Sequence, residues 1–494
     1  MIYPAYEELE KYTENYKTVP VGKEIFSDFC TPVQVLRILK GASKHVFILE
    51  SVERQEKWGR YTFLGYDPAM EIVCNDGQMH VKEVATGEVK NYGGEENFHP
   101  APVLRELLAA YKSPKIAGMP SFTGGMVGYF SFDYMKYSEP QMKGEPKNED
   151  GFHDFDLMLF DKVIAFDNLK QKLWLIVNVK TENMEENYQK ALSEIEAMEQ
   201  LLRTGKPTED TKGKLLSEIK PLYSKEQYCD MVNKAKHYIH EGDIFQVVLS
   251  NRLEADYEGS LLDTFRYMRT INPSPYMFYF ASSDLEVAGA SPETLVKLED
   301  GELHTYPLAG TRPRGKNAEE DEALRVELLA DEKERAEHNM LVDLGRNDIG
   351  KISKFGSVKV EKYMNIEKFS HVMHIGSTVR GEIDDKHDGL DAIDAILPAG
   401  TLSGAPKIRA CEIIRELENN KRGVYGGAIG YLDFTGNMDT CIAIRIAYKK
   451  GGKVFVRSGA GIVADSVPEK EYQECINKAK AVVTSLQCAQ EVDA

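Results

Sequence analysis

Apolar positions along this chain follow two periods: short runs that alternate or stay apolar over four to eight residues, and longer stretches repeating every three or four. A polar opening stretch reads as helix, and His45-Val46-Phe47-Ile48-Leu49-Glu50-Ser51 as a strand. Short strands follow at 60–66 and 71–74, with Asn75-Asp76-Gly77 as a hairpin turn. A helix is expected over 103–111, and the glycines of 123–130 suit a strand lying close to neighbouring backbone. The charged, Pro- and Gly-bearing stretch 138–151 predicts a surface loop. Strand-like runs at 157–166 and 172–179 precede a long acidic helix over 182–202.

Residues 204–222 are polar and aperiodic, which predicts a linker between an N-terminal region, 1–203, and a second domain, 223–494. Past it, a fresh helix near Ser224 opens a half in which helices alternate with β-rich runs at 244–249, 276–280, 427–433 and 442–448. The hairpin-like spacing predicts an α+β fold: largely antiparallel sheets packed as a sandwich, with helices on the outside.

Composition narrows the class. The 494 residues are 42% hydrophobic and 28% charged, ordinary for a soluble globular protein with ample core. A net charge of −18 argues against a nucleic-acid partner, because phosphate binding needs a basic face. Seven cysteines are scattered singly with no C-x-x-C, as expected in a reducing cytosol. Neither a signal peptide nor a membrane-length apolar run is visible, so a cytoplasmic protein is expected.

The helical stretch 331–344 carries Glu334 and Glu337 three apart, on one face. Glu471 and Glu474 repeat the spacing near the C-terminus. The two pairs could ligate a hard cation such as Mg²⁺, or simply decorate solvated faces. Pro307-Leu308-Ala309-Gly310-Thr311-Arg312-Pro313-Arg314-Gly315 places backbone N–H groups, a hydroxyl and two arginines together, as a ligand site or a basic turn would. In 398–407, Ser403 or Gly404 is expected to begin a helix, with Pro406 and Lys407 in its first turn. Arg457-Ser458-Gly459-Ala460-Gly461 reads as a strand entering a glycine-rich turn whose N–H groups could cradle a carboxylate. Arg445 is a lone cation in an apolar strand; its anionic partner could be structural or a bound ligand. His371 and His374 lie in an alternating segment that sends them to opposite faces, which removes them as a metal pair.

These segments together resemble the chorismate-utilising enzymes, most closely the anthranilate synthase component I branch. The resemblance rests on Gly242-Asp243-Ile244-Phe245-Gln246-Val247-Val248, Ala290-Ser291-Pro292-Glu293 and 307–315. It continues through Glu337-His338-Asn339-Met340-Leu341-Val342-Asp343-Leu344-Gly345-Arg346-Asn347-Asp348, 400–407 and 458–468, all in family order. It implies that chorismate reacts with ammonia to give anthranilate and pyruvate. It also implies that Glu337 and Glu474 hold Mg²⁺, supported by Glu334 and Glu471. Substrate-holding positions would be Gly310, Thr311, Tyr425, Arg445, Gly459, Ala460, Gly461 and Lys478, with Glu293, His374 and Thr401 near the reacting ring. Glu293 is expected as acid toward the leaving C4 hydroxyl, and His374 as a participant in C2 deprotonation.

Two positions separate members of the family. Where isochorismate- and salicylate-forming members carry a Lys base, this chain has Gln246; where aminodeoxychorismate synthase has a nucleophilic Lys, it has Ala309. Both favour ammonia entering at C2. Glu50, Ser51, Pro275, Tyr276 and Met277 match tryptophan-binding elements, so feedback inhibition by L-tryptophan is expected. No cysteine has a glutaminase setting, so a separate glutamine amidotransferase subunit, component II, is expected to deliver ammonia in a heterotetramer with two copies of each component. The alternatives are aminodeoxychorismate synthase component I and a catalytically silent tryptophan-sensing protein.

Overall fold

The computed structural model describes residues 2–51, 59–142, 146–208, 212–368 and 372–489. Among them, two large antiparallel sheets face each other, one of fourteen strands and one of twelve. Their inner faces share a core that draws on both ends of the chain, from Val46 and Phe47 to Tyr448 and Val456. Helices cover the outside. Pro468–Cys488 lies on strand Lys453–Ile462 of the first sheet, and Glu332–Gly350 on strands Leu308–Pro313 and Val372–Glu382 of the second. The α+β sandwich expected from strand spacing is the architecture observed.

The sheets do not divide at 204–222. Val46–Glu50 pairs with Tyr276–Ala281 in the first sheet, and Gly125–Phe130 pairs with Ala428–Asp433 in the second. The stretch expected as a linker itself supplies two short strands, Lys214–Leu215 and Lys220–Pro221, both paired with Gln246–Glu258. The fresh helix beyond it is Lys225–His240, and Ser224 caps it with a reciprocal capping box to Gln227.

At several points a β-rich run crosses from one sheet to the other. The run at 157–166 is two strands, Phe155–Phe160 in the second sheet and Lys162–Asp167 in the first. Leu285–Ser291 in the first sheet is followed directly by Thr294–Glu299 in the second. Met438–Ile442 in the second returns to Ile446–Lys450 in the first. Such corners are where a sandwich strand bends and changes partner. The runs at 157–166 and 442–448 carry no Gly or Pro at their corners, so each reads as a single strand.

The opening stretch holds 3-10 turns, Tyr6–Glu8 and Glu10–Tyr12, rather than a continuous helix. Sequence periodicity also missed strand Thr18–Phe26 and helix Pro32–Ala42.

Candidate active site

Two corners run side by side. The Ile442 amide donates to the Glu293 carbonyl at 2.9 Å, the Ser291 hydroxyl to the Ile442 carbonyl at 2.7 Å, and the Ala290 amide to the Arg445 carbonyl at 3.2 Å. Glu293 and Arg445 are the corner residues themselves. Arg445 is therefore not inside a strand, as the pattern of 442–448 suggests; it bridges two, with φ +53 in the left-handed region.

Burial pushes the Glu293 carboxyl up to about 8, against the opposing influence of Thr401 and Arg445. Thr401 stands on the short turn Gly400–Leu402, with its hydroxyl buried beside the Glu293 carboxyl, on which it acts by hydrogen bonding. Burial also lowers the Arg445 pKa, and Glu293 opposes that shift. Arg445 makes no ion pair within 4 Å among the described residues, so its guanidinium is available to an incoming anion.

His374 projects from strand Val372–Glu382, with Nδ1 2.8 Å from the Gly310 carbonyl and 3.1 Å from the Thr311 hydroxyl. A carbonyl only accepts, so Nδ1 carries the proton and Nε2 is left as an acceptor. Burial holds the imidazole pKa below its usual value, with the Gly310 carbonyl opposing and Arg445 adding to the shift. His371 lies outside the described residues.

Gly310, at φ +66, permits close approach of the neighbouring helix: a Cβ there would stand 3.0 Å from Glu334 Oε2. The arginines of 307–315 are engaged structurally, Arg312 with Glu327, Asp331 and Glu334, and Arg314 with Asp321.

The segment 459–461 does not turn. It continues strand Lys453–Ile462, with Gly459 opposite Ser250 and Gly461 opposite Val248. A Cβ on Gly461 would lie 2.7 Å from Gln246 Nε2, and one on Gly459 3.2 Å from the Tyr425 hydroxyl. The glycines let that amide and that phenol pack against the strand backbone. Lys478 reaches the same strand, donating to the Gly459 carbonyl at 3.1 Å while pairing with Glu474 at 2.7 Å. Nor does a helix begin at Ser403 or Gly404. Gly404–Ala405 pairs with Gln246–Val247 as a two-residue strand, and the helix is Lys407–Glu418.

The two acid pairs come from helices on different sheets. Burial and then Glu334 raise the Glu337 pKa, with Glu474 adding to the rise and Lys478 and Lys333 opposing it. Burial also raises that of Glu471, with Ser466 opposing and Glu474 adding. Carboxylates from both helices therefore share one field, together with two lysines. Among the described residues, no three His, Cys, Asp or Glu side chains are close enough to hold an ion as they stand.

Away from this cluster, a cavity of about 790 Å³ opens between the sheets. Glu50, Ser51, Pro275, Tyr276 and Met277 all line it, so the structure brings these five together. The Ser51 hydroxyl is buried without a partner among the described residues, and Glu50 forms an ion pair with Arg269.

Comparison with known proteins fits this arrangement. The family described as chorismate binding enzyme matches residues 45–484. The chain is 44% identical over 500 residues to anthranilate synthase component 1 of Acetivibrio thermocellus, covering 100% of both chains. It is 44% identical over 493 residues to that of Aquifex aeolicus strain VF5, covering 98% of each. The chain belongs to the anthranilate synthase component I family. Crystallographic anthranilate synthase component I from Streptococcus pneumoniae TIGR4 superposes with a TM-score of 0.74 at 38% identity, covering 93% of this chain and 98% of that one.

In this member of the anthranilate synthase component I family, Ala309 is buried in strand Leu308–Pro313 and offers no nucleophile. Sequence reasoning passed over a fully buried ion network beneath the site. Glu418 binds Arg422 at 2.7 Å and Arg457 at 2.8 Å, and Arg422 also donates to the Leu402 carbonyl at 2.7 Å, next to Thr401. The available signal was Arg457 inside the apolar run Val454–Ser458; a strand cation there needs a buried anion. Lys407 ties the same region down, to Asp348 at 2.6 Å and to the Ile396 carbonyl at 2.8 Å.

Proposed function

We propose that this chain converts chorismate and ammonia to anthranilate and pyruvate, with L-tryptophan as feedback inhibitor. A partner glutamine amidotransferase, component II, would supply the ammonia, in a heterotetramer of two copies of each component. One observation carries the reading: an acid that keeps its proton, Glu293, stands on a corner beside Arg445, an arginine with no carboxylate partner among the described residues. A dianion would be held by the Arg445 guanidinium, the Lys478 ammonium and the Gly459-Ala460-Gly461 strand, together with Tyr425 and Gly310-Thr311.

Glu293, protonated near neutral pH, donates to the C4 hydroxyl as it leaves, while the ammonia nitrogen bonds to C2 and water departs. His374, neutral with Nε2 as acceptor, takes the C2 proton as the enolpyruvyl C–O bond breaks, which yields pyruvate and an aromatic ring. Thr401 orients the Glu293 carboxyl. Glu337 and Glu474, with Glu334 and Glu471, suit Mg²⁺ by their hard oxygen donors and by the burial and then mutual repulsion that raise Glu337 and Glu471. When bound, the ion would neutralise a substrate carboxylate.

Purified chain given chorismate, Mg²⁺ and ammonium chloride should form anthranilate, read by its fluorescence, and should form none from glutamine. Accumulation of 4-amino-4-deoxychorismate would instead identify the enzyme as aminodeoxychorismate synthase. Absence of turnover with retained tryptophan binding would identify a sensor.

A further inference from the structure

We propose that the Tyr276 hydroxyl is a strut between the two sheets that positions Glu293, and that an occupant of the neighbouring cavity acts on catalysis by displacing it. The regulatory half rests on reading that cavity as the tryptophan site. Tyr276 belongs to the first sheet, in Tyr276–Ala281, where its register partner is Ser291, the last residue before the corner. Its hydroxyl reaches into the second sheet, 2.9 Å from the Thr294 hydroxyl and 2.8 Å from Asp439 Oδ1. Thr294 is the first residue after the corner. One side chain therefore fastens both ends of the turn that holds Glu293.

The sheet alone does not do this. Pairing between Thr294–Glu299 and Met438–Ile442 slips between Thr294 and Val296, so the regular ladder is interrupted where the corner ends. The phenol can donate to the Asp439 carboxylate and accept from Thr294, which spans that irregularity. Tyr276, Asp439 and Cys441, the strand partner of Thr294, all line the 790 Å³ cavity. A ligand filling it presses on the strut directly, and small displacements of a reacting group carry large rate costs.

The test uses the full chain with ammonium chloride, chorismate and Mg²⁺, alongside calorimetric titration with L-tryptophan. Tyr276→Phe keeps the ring and removes the hydroxyl. Its kcat should fall about tenfold with the chorismate KM within about twofold. L-tryptophan should still bind within about threefold of the wild-type affinity, yet at saturation suppress less than half of the remaining activity. Thr294→Val should reproduce both effects, and Thr294→Ser should restore them to wild type. Unchanged kcat with full inhibition in Tyr276→Phe would overturn the proposal. Parallel loss of tryptophan affinity and inhibition would reduce Tyr276 to a binding contact and overturn the coupling. If the wild type neither binds nor responds to tryptophan, the feedback reading falls with the regulatory half, and the kcat of Tyr276→Phe alone decides the positioning half.

Discussion

A glutamic acid that keeps its proton near neutral pH is useful and costly at the same residue. The folded Glu293 carboxyl titrates at about 8, while the unfolded chain releases the proton near the usual glutamate value. Between those values the folded state holds more protons, so this group's contribution to stability declines as pH rises. Activity that needs the acid form should fall in the same direction, through a limb near pH 8. Glu293→Gln removes both effects: kcat should drop by about 10²- to 10⁴-fold, and Tm at pH 8 should rise by a few degrees, measured by calorimetry. Glu293 was legible from its motif; its raised pKa was not, because burial depends on a corner that hydropathy does not mark. Arg445 was singled out as a cation needing an anion, and the structure leaves that role to a ligand. The conformation that frees it, a left-handed backbone between two strands, has no signature in an apolar run lacking glycine there.

At the scale of elements, the long strands and helices were the legible part. Strand Lys172–Lys180 and helix Met184–Thr204 fall within two residues of the expected bounds. Pairing and turning were not legible: 459–461 resembles a turn because it is rich in glycine, yet the glycines widen a strand for Gln246 and Tyr425. The buried network of Glu418 spans the helix Lys407–Glu418 and strand Lys453–Ile462. Glu418→Ala would strand two buried guanidinium groups, costing on the order of 3–5 kcal/mol. The expected readout is a large drop in Tm with loss of turnover, since Leu402 and Thr401 lose their anchor. In the inter-sheet cavity, Ser51→Phe places a ring where a partnerless hydroxyl now sits. The tryptophan concentration for half-inhibition should rise at least about tenfold, since a few kcal/mol of overpacking suffices, while anthranilate formation without tryptophan persists.

The whole molecule is one pair of sheets sewn from both halves of the sequence. Among the described residues no helix is long and apolar enough to cross a membrane. Strand spacing anticipated the sandwich, but a division was expected at 204–222, because a polar aperiodic stretch resembles a tether even when it carries edge strands. Strand partners lie more than two hundred residues apart, and no local pattern encodes such separations.

Those shared sheets make the chain a two-piece lock rather than two rooms joined by a corridor. Cut between 208 and 212, fragments 1–208 and 212–494 should each expose unpaired strand edges and precipitate when expressed separately. Expressed together, they should reassemble into a soluble complex that forms anthranilate from ammonium. If either fragment folded alone as a monomer, the halves would be independent after all.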